Sequence, residues 1–205
     1  MYCPNCQCEF ENWSDRCPIC GTVLIDHVPS VPDEVLNPVS YQELVDLVNE
    51  HGGRLKMDLK TVGVGTERKK GFPYFGFKYV WAKRMQGAFN GITIDLVTTE
   101  VGKDREMRFP FMGYGYAWAR SMQGTIGGNK VNLDAKRVAK KRKWGFPYKG
   151  YGFAWTEEFS GMCGEKLDAQ LLITDAGMKS GWIFPYFGYG SAWADKGTLT
   201  LKIRE

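Results

Sequence analysis

Phe109-Pro110-Phe111-Met112-Gly113-Tyr114-Gly115-Tyr116-Ala117-Trp118 is one of four copies of a single line in this chain. The others run Phe72–Trp81, Phe146–Trp155 and Phe184–Trp193, so the copies recur at spacings of 37, 37 and 38 residues. Each reads Phe-Pro-aromatic-x-Gly-aromatic-x-x-x-Trp. A fixed period in this range marks a repeat architecture. Within each copy the residues alternate with period two. Met112, Tyr114, Tyr116, Trp118 and Arg120 fall on one face, and Gly113, Gly115, Ala117, Ala119 and Ser121 on the other. That is the pattern of a strand, in which successive side chains point to opposite sides. The proline stands at the strand start, where it forfeits no ladder bond.

A second strand accompanies each motif. Residues 92–99, 131–138 and 167–174 follow the first three copies, and residues 55–62 precede the first. Phe89-Asn90-Gly91 and Gly127-Gly128-Asn129 supply tight turns between them. The expected product is a mainly β, antiparallel meander of eight strands, with a ninth, short strand over 198–203. An open sheet of this size would expose two edges, and closure removes them. The tail Leu199-Thr200-Leu201-Lys202-Ile203 can return beside the first strand, so residues 54–205 are expected to close into a barrel-like domain with pseudo-fourfold symmetry. Closure would also bring Asp195 towards Lys83 and Arg120 towards Glu157, the residues two after each repeat tryptophan. The bare Gly/Ala face permits close approach by a second sheet, a neighbouring subunit or a ligand. The aromatic face is either core or a stacking platform.

Upstream, Cys3-Pro4-Asn5-Cys6 and Cys17-Pro18-Ile19-Cys20-Gly21 form two Cys-x-x-Cys pairs. Two thiolates three apart can grip one metal from a single turn, and four close a tetrahedral structural site. Two disulfides are the alternative, although the N-terminus carries no secretory pattern. The first 25 residues resemble the short zinc-ribbon modules at the ends of many bacterial and archaeal proteins. The resemblance implies a structural Zn2+ on Cys3, Cys6, Cys17 and Cys20, and a docking or stabilising role. Cys8 reads as a spare thiol. Residues 26–39, with Pro29, Pro32 and Pro38, read as a semi-rigid linker. Residues 40–53 read as a helix, with Ser40 and Glu43 as a capping box, Val39 and Leu44 as a staple, and Gly52-Gly53 as the stop.

The formal charge of +4 is unevenly spread. Residues 1–53 hold one basic and nine acidic side chains, whereas residues 54–205 hold 26 basic and 14 acidic. The run Lys136, Arg137, Lys140, Lys141, Arg142, Lys143 lies beside Trp144. Basic residues neutralise phosphates while aromatics stack on bases. The candidate contact set is therefore this run with Tyr79, Trp81, Tyr116, Trp118, Trp155 and Trp193. The two histidines, His27 and His51, both precede the repeats. The repeat domain thus lacks the usual general base near neutral pH, and no nucleophile or phosphate-loop motif appears. The expectation is a non-enzymatic, cytoplasmic protein that binds a polyanion, nucleic acid foremost. A structural subunit that self-assembles and a carbohydrate- or small-ligand-binding barrel are the alternatives. No stretch of 18 apolar residues would form a membrane helix.

Overall fold

The computed structural model describes residues 38–71, 75–108, 112–145, 149–183 and 187–204, together with two short strands near the N-terminus. Those two, β1 (Tyr2–Cys3) and β2 (Cys8–Glu9), pair antiparallel with Cys3 opposite Cys8. The rest of the expected zinc module and most of the linker lie outside the described residues.

The capping box forms as the sequence predicts, and α1 runs Tyr41–Glu50. Ser40 N donates to Glu43 Oε2 at 2.7 Å, and Glu43 N donates to Ser40 Oγ at 3.3 Å. The Ser40 backbone N–H, followed by the Ser40 side chain, favours the ionised Glu43 carboxylate and lowers its pKa. Leu44, Val45 and Val48 are buried along one stripe, which is the spacing an amphipathic helix needs to cover a core.

Eight long strands follow: β3 (Arg54–Gly71), β4 (Phe75–Phe89), β5 (Ile92–Arg108), β6 (Met112–Ile126), β7 (Asn129–Gly145), β8 (Lys149–Cys163), β9 (Leu167–Ile183) and β10 (Phe187–Ile203). They form a closed antiparallel barrel in chain order, with β10 pairing back onto β3. Thr198 stands opposite Asp58 and Leu201 opposite Leu55, so the tail closes the ring as expected. The tail is the second half of β10 rather than a ninth strand. The strands accompanying the motifs are about twice the expected length. Residues such as Glu67, Asp104 and Lys140 have the polarity of loops, yet each is paired across a hairpin.

The ring is closed only at its base. There β4 pairs β5, β6 pairs β7 and β8 pairs β9 over six positions each, and β10 pairs β3 over seven. Beyond this level each of β3–β4, β5–β6, β7–β8 and β9–β10 continues alone as a two-stranded arm. The split coincides with a bulge in every arm. Val62 and Lys83, Thr99 and Arg120, Lys136 and Glu157, and Thr174 and Asp195 are skipped in the register. A bulge bends and twists the strand, which turns each arm out of the barrel wall. Hydroxyls stitch the splits: Thr61 Oγ1 donates to Ala194 O at 2.6 Å and Thr98 Oγ1 to Ala82 O at 2.5 Å. Ala135 has no hydroxyl at the matching place, and Thr156 Oγ1 instead reaches Ala119 O at 2.6 Å.

The core lies in the base. Leu55, Met57, Leu59, Met85, Ile94, Leu96, Met122, Leu133, Phe159, Leu171, Leu199 and Leu201 fill it, and α1 plugs the open end with Leu44 and Val48. Gly124 and Gly161 face the carbonyls of Asp95 and Asn132 so closely that any Cβ would collide with backbone. Tyr41 fastens the plug. Its hydroxyl accepts from Lys166 N at 2.7 Å and donates to Cys163 O at 3.2 Å. Outside, the same strands present Lys56, Asp58, Lys60, Asp168 and Lys202 to solvent. An apolar interior with a charged exterior is the reverse of a lipid-facing barrel wall.

Candidate functional site

Among the described residues the base core contains one thiol. Cys163 is fully buried in the core, and burial pushes its pKa up to about 11. It is a protonated core residue at neutral pH, and only a thiolate is nucleophilic. Among the described residues no His, Cys, Asp and Glu side chains gather in a metal-ligating group. No helix among them is long and apolar enough to cross a membrane.

The arms are where the repeat residues meet. The bare face of the second, third and fourth motif strands is covered by the preceding arm of the same chain. Tyr79 packs on Ala117 with Trp81 and Val101, Tyr116 packs on Ala154 with Trp118, and Phe153 and Trp155 pack on Ala192. Strand register makes Ser191 the fourth counterpart of Tyr79, Tyr116 and Phe153, and Val80 the counterpart of the three alanines. Volumes are reversed at that last junction, small on the aromatic face and larger on the bare face. Ser191 Oγ is the buried side-chain oxygen without a hydrogen-bond partner among the described residues.

Each tryptophan also crosses its own hairpin. Trp81 stands opposite Gly65, Trp118 opposite Gly102 and Trp193 opposite Gly177. A Cβ on any of these glycines would sit inside the indole. The third arm has Ala139 in that place, and Trp155 is 7% exposed while the other three tryptophans are half-buried. Of the candidate stacking residues, Tyr79, Tyr116 and Trp155 are thus core of the arms.

Cations line the arm junctions. Lys103 reaches the Glu67 carboxylate of the preceding arm and lies 5.7 Å from the Tyr79 ring centroid. One repeat later, Lys140 Nζ is 2.5 Å from Asp104 Oδ2 and lies 5.4 and 5.5 Å from the Tyr116 and Trp118 rings. The acid of this clamp is then lost. Glu67, Asp104, Lys141 and Lys179 occupy equivalent positions, opposite Tyr79, Tyr116, Phe153 and Ser191. Lys141 is exposed, with its ammonium 5.0 Å from the Trp155 centroid.

The basic run therefore divides. Arg137 is held by Glu157 at 2.8 Å and Glu158 at 3.8 Å, and Lys140 by Asp104. Arg142 Nε donates to Tyr116 Oη at 3.2 Å. Lys136 is exposed at its bulge, and the Lys143 side chain lies outside what is described. The ring closes as expected, but Arg120 pairs with Glu100 at 3.8 Å rather than approaching Glu157, which binds Arg137. Asp195 accepts from Trp193 Nε1 at 3.4 Å. The physical reason is the bulge: it breaks the period-two alternation at these very positions and turns their side chains towards their own arm.

Sequence reading missed Glu67, Lys103, Asp104 and Lys179. The signal was present at the repeat spacing, in Thr66-Glu67, Lys103-Asp104, Lys140-Lys141 and Met178-Lys179. Finding it required aligning the outgoing strands rather than the aromatic motif alone. Compared with known proteins, the chain matches no family model, no curated protein and no solved structure.

Proposed function

We propose that the protein is a non-enzymatic binder of nucleic acid, engaging single strands with the outer parts of its four arms. The observation that supports this is the sorting of residue types along the barrel axis. Segments 66–71, 75–80, 103–108, 112–117, 140–145, 149–154, 177–183 and 187–192 belong to the outer arms and share the pole opposite α1. Together they hold thirteen basic side chains against three acidic, and eleven of the chain's 29 aromatic residues. The remainder of residues 38–205 is close to neutral, with thirteen basic and fourteen acidic side chains. Cations interleaved with aromatics along the arms suit an unpaired strand, whose phosphates they neutralise and whose bases can stack.

The test is direct titration of a labelled single-stranded DNA, and of its duplex, at several salt concentrations. The expected result is tighter binding to the single strand, with log affinity falling linearly with log salt. Absence of binding to either at low salt would refute the reading. We further propose that Cys3, Cys6, Cys17 and Cys20 hold one structural Zn2+, which would tie down the acidic N-terminal segment by supplying four metal–sulfur bonds. Metal analysis should return one zinc per chain. Metal-free protein with those cysteines oxidised in pairs would overturn it.

A further inference from the structure

We infer that the nucleic-acid contact is not fourfold but is concentrated where the inter-arm clamp is missing, on Lys141 and Lys179, with the phosphodiester backbone as the group bound. This rests on the reading above and assigns its phosphate-binding residues. Equivalent positions around the ring carry unlike charges. At the junction of the first and second arms Lys103 is answered by Glu67, and at the next Lys140 is answered by Asp104. Those two cations are spent within the protein, and a phosphate approaching them meets the carboxylate as well. In the third arm the acid position is Lys141, and its partner position across the junction is Met178 in place of a lysine. In the fourth arm the acid position is Lys179, and the partner position in the first arm is Thr66.

No carboxylate lies within ion-pair distance of Lys141 or Lys179 among the described residues, and both are exposed. Met178 is 46% exposed, an apolar side chain standing where a clamp lysine would be. Half of the ring thus neutralises itself, while the other half presents cations with nothing opposite. The ring of Trp155 fixes the position of the Lys141 ammonium without cancelling its charge, since the attraction to a ring face leaves a full cation. Lys141 belongs to the basic run; Lys179 is separated from it by 38 residues and joins it only through the pseudo-fourfold register.

The experiment compares three variants with the unaltered protein for single-stranded DNA binding across salt. Lys141→Ala with Lys179→Ala removes two phosphate contacts, and the salt slope should fall by about 1.4, at about 0.7 per contact on a single strand. Lys103→Ala, whose cation is already answered, should leave the slope unchanged. Lys141→Asp with Met178→Lys installs the missing clamp; it should keep the melting temperature and lose about 0.7 of slope, half the loss of the first variant, because Lys179 remains. An unchanged slope in the first variant, or an equal loss in Lys103→Ala, would overturn the inference while leaving the binding activity standing. Failure of the unaltered protein to bind at low salt would instead remove the nucleic-acid reading itself.

Discussion

Below the bulges, Leu55, Met85, Ile94, Phe159 and Leu199 converge on one interior that α1 seals; above them, three of the four arm junctions are a ring on an alanine. The same strands run through both regions, and the same alternation writes them. At the base, alternation separates an apolar inside from a wet outside, and stability follows the apolar area removed from water. In the arms both faces are used. The aromatic face covers the next arm and the small face is covered by the previous one, so stability depends on matched volumes at four junctions. The base should hold together when an arm is damaged, and the arms should fail when the base does.

The largest effect is expected from Phe159→Ala. It removes a fully buried ring from the base core, and such truncations cost about 3–5 kcal/mol. A urea titration followed by far-ultraviolet dichroism should show one cooperative shift of base and arms together. Separate transitions with the base unmoved would break the comparison.

Gly102→Val comes next. The added carbons must displace the Trp118 indole, at about 1–3 kcal/mol. The expected signature is local, with near-ultraviolet dichroism and amide exchange altered in β5 and β6 above Thr99 while base amides keep their protection. Loss of protection along β9 at the base would contradict it.

Tyr41→Phe sharpens the other side. It deletes the acceptor of Lys166 N and the donor to Cys163 O, a loss of about 1 kcal/mol. Fraying of α1 in exchange measurements, with the arms untouched, is the expected outcome.

The smallest effect belongs to the arm clamps. Glu67→Gln should cost about 0.2–1 kcal/mol, since both partners are part-exposed, and the difference should shrink as salt rises. A double-mutant cycle with Lys103→Ala isolates the pair. A coupling well above 1 kcal/mol would mean that the clamps, rather than the rings, hold the arms.

The four repeats, the Tyr/Trp strands, the return of the tail and the Ser40–Glu43 box were legible because each depends on local chemistry or on a fixed period. The outer halves of β3, β5, β7 and β9 were not. Glu67, Asp104 and Lys140 carry polar side chains that solvate as readily in a loop as in a strand, and what keeps them extended is the hairpin partner opposite. The pairing expected between Arg120 and Glu157 assumed unbroken alternation, and a bulge leaves no mark in the hydropathy pattern. The burial of Tyr79, Tyr116 and Trp155 follows from the twist that brings one arm over the next, a property of the closed ring rather than of any one repeat.

The junctions have a direction. Every arm offers its aromatic face forward and its small face back, so successive arms meet through unlike surfaces, as subunits do in a head-to-tail ring. Four quarter-turn steps bring the last arm round to the first, and the exchange of volumes between Ser191 and Val80 marks the seam at which the circuit ends. A single polypeptide here performs the task of a cyclic tetramer. Because its subunits are covalently joined, they need not be identical in charge: one quadrant carries Glu67 where another carries Lys141, and a ring of four similar sides acquires a front and a back.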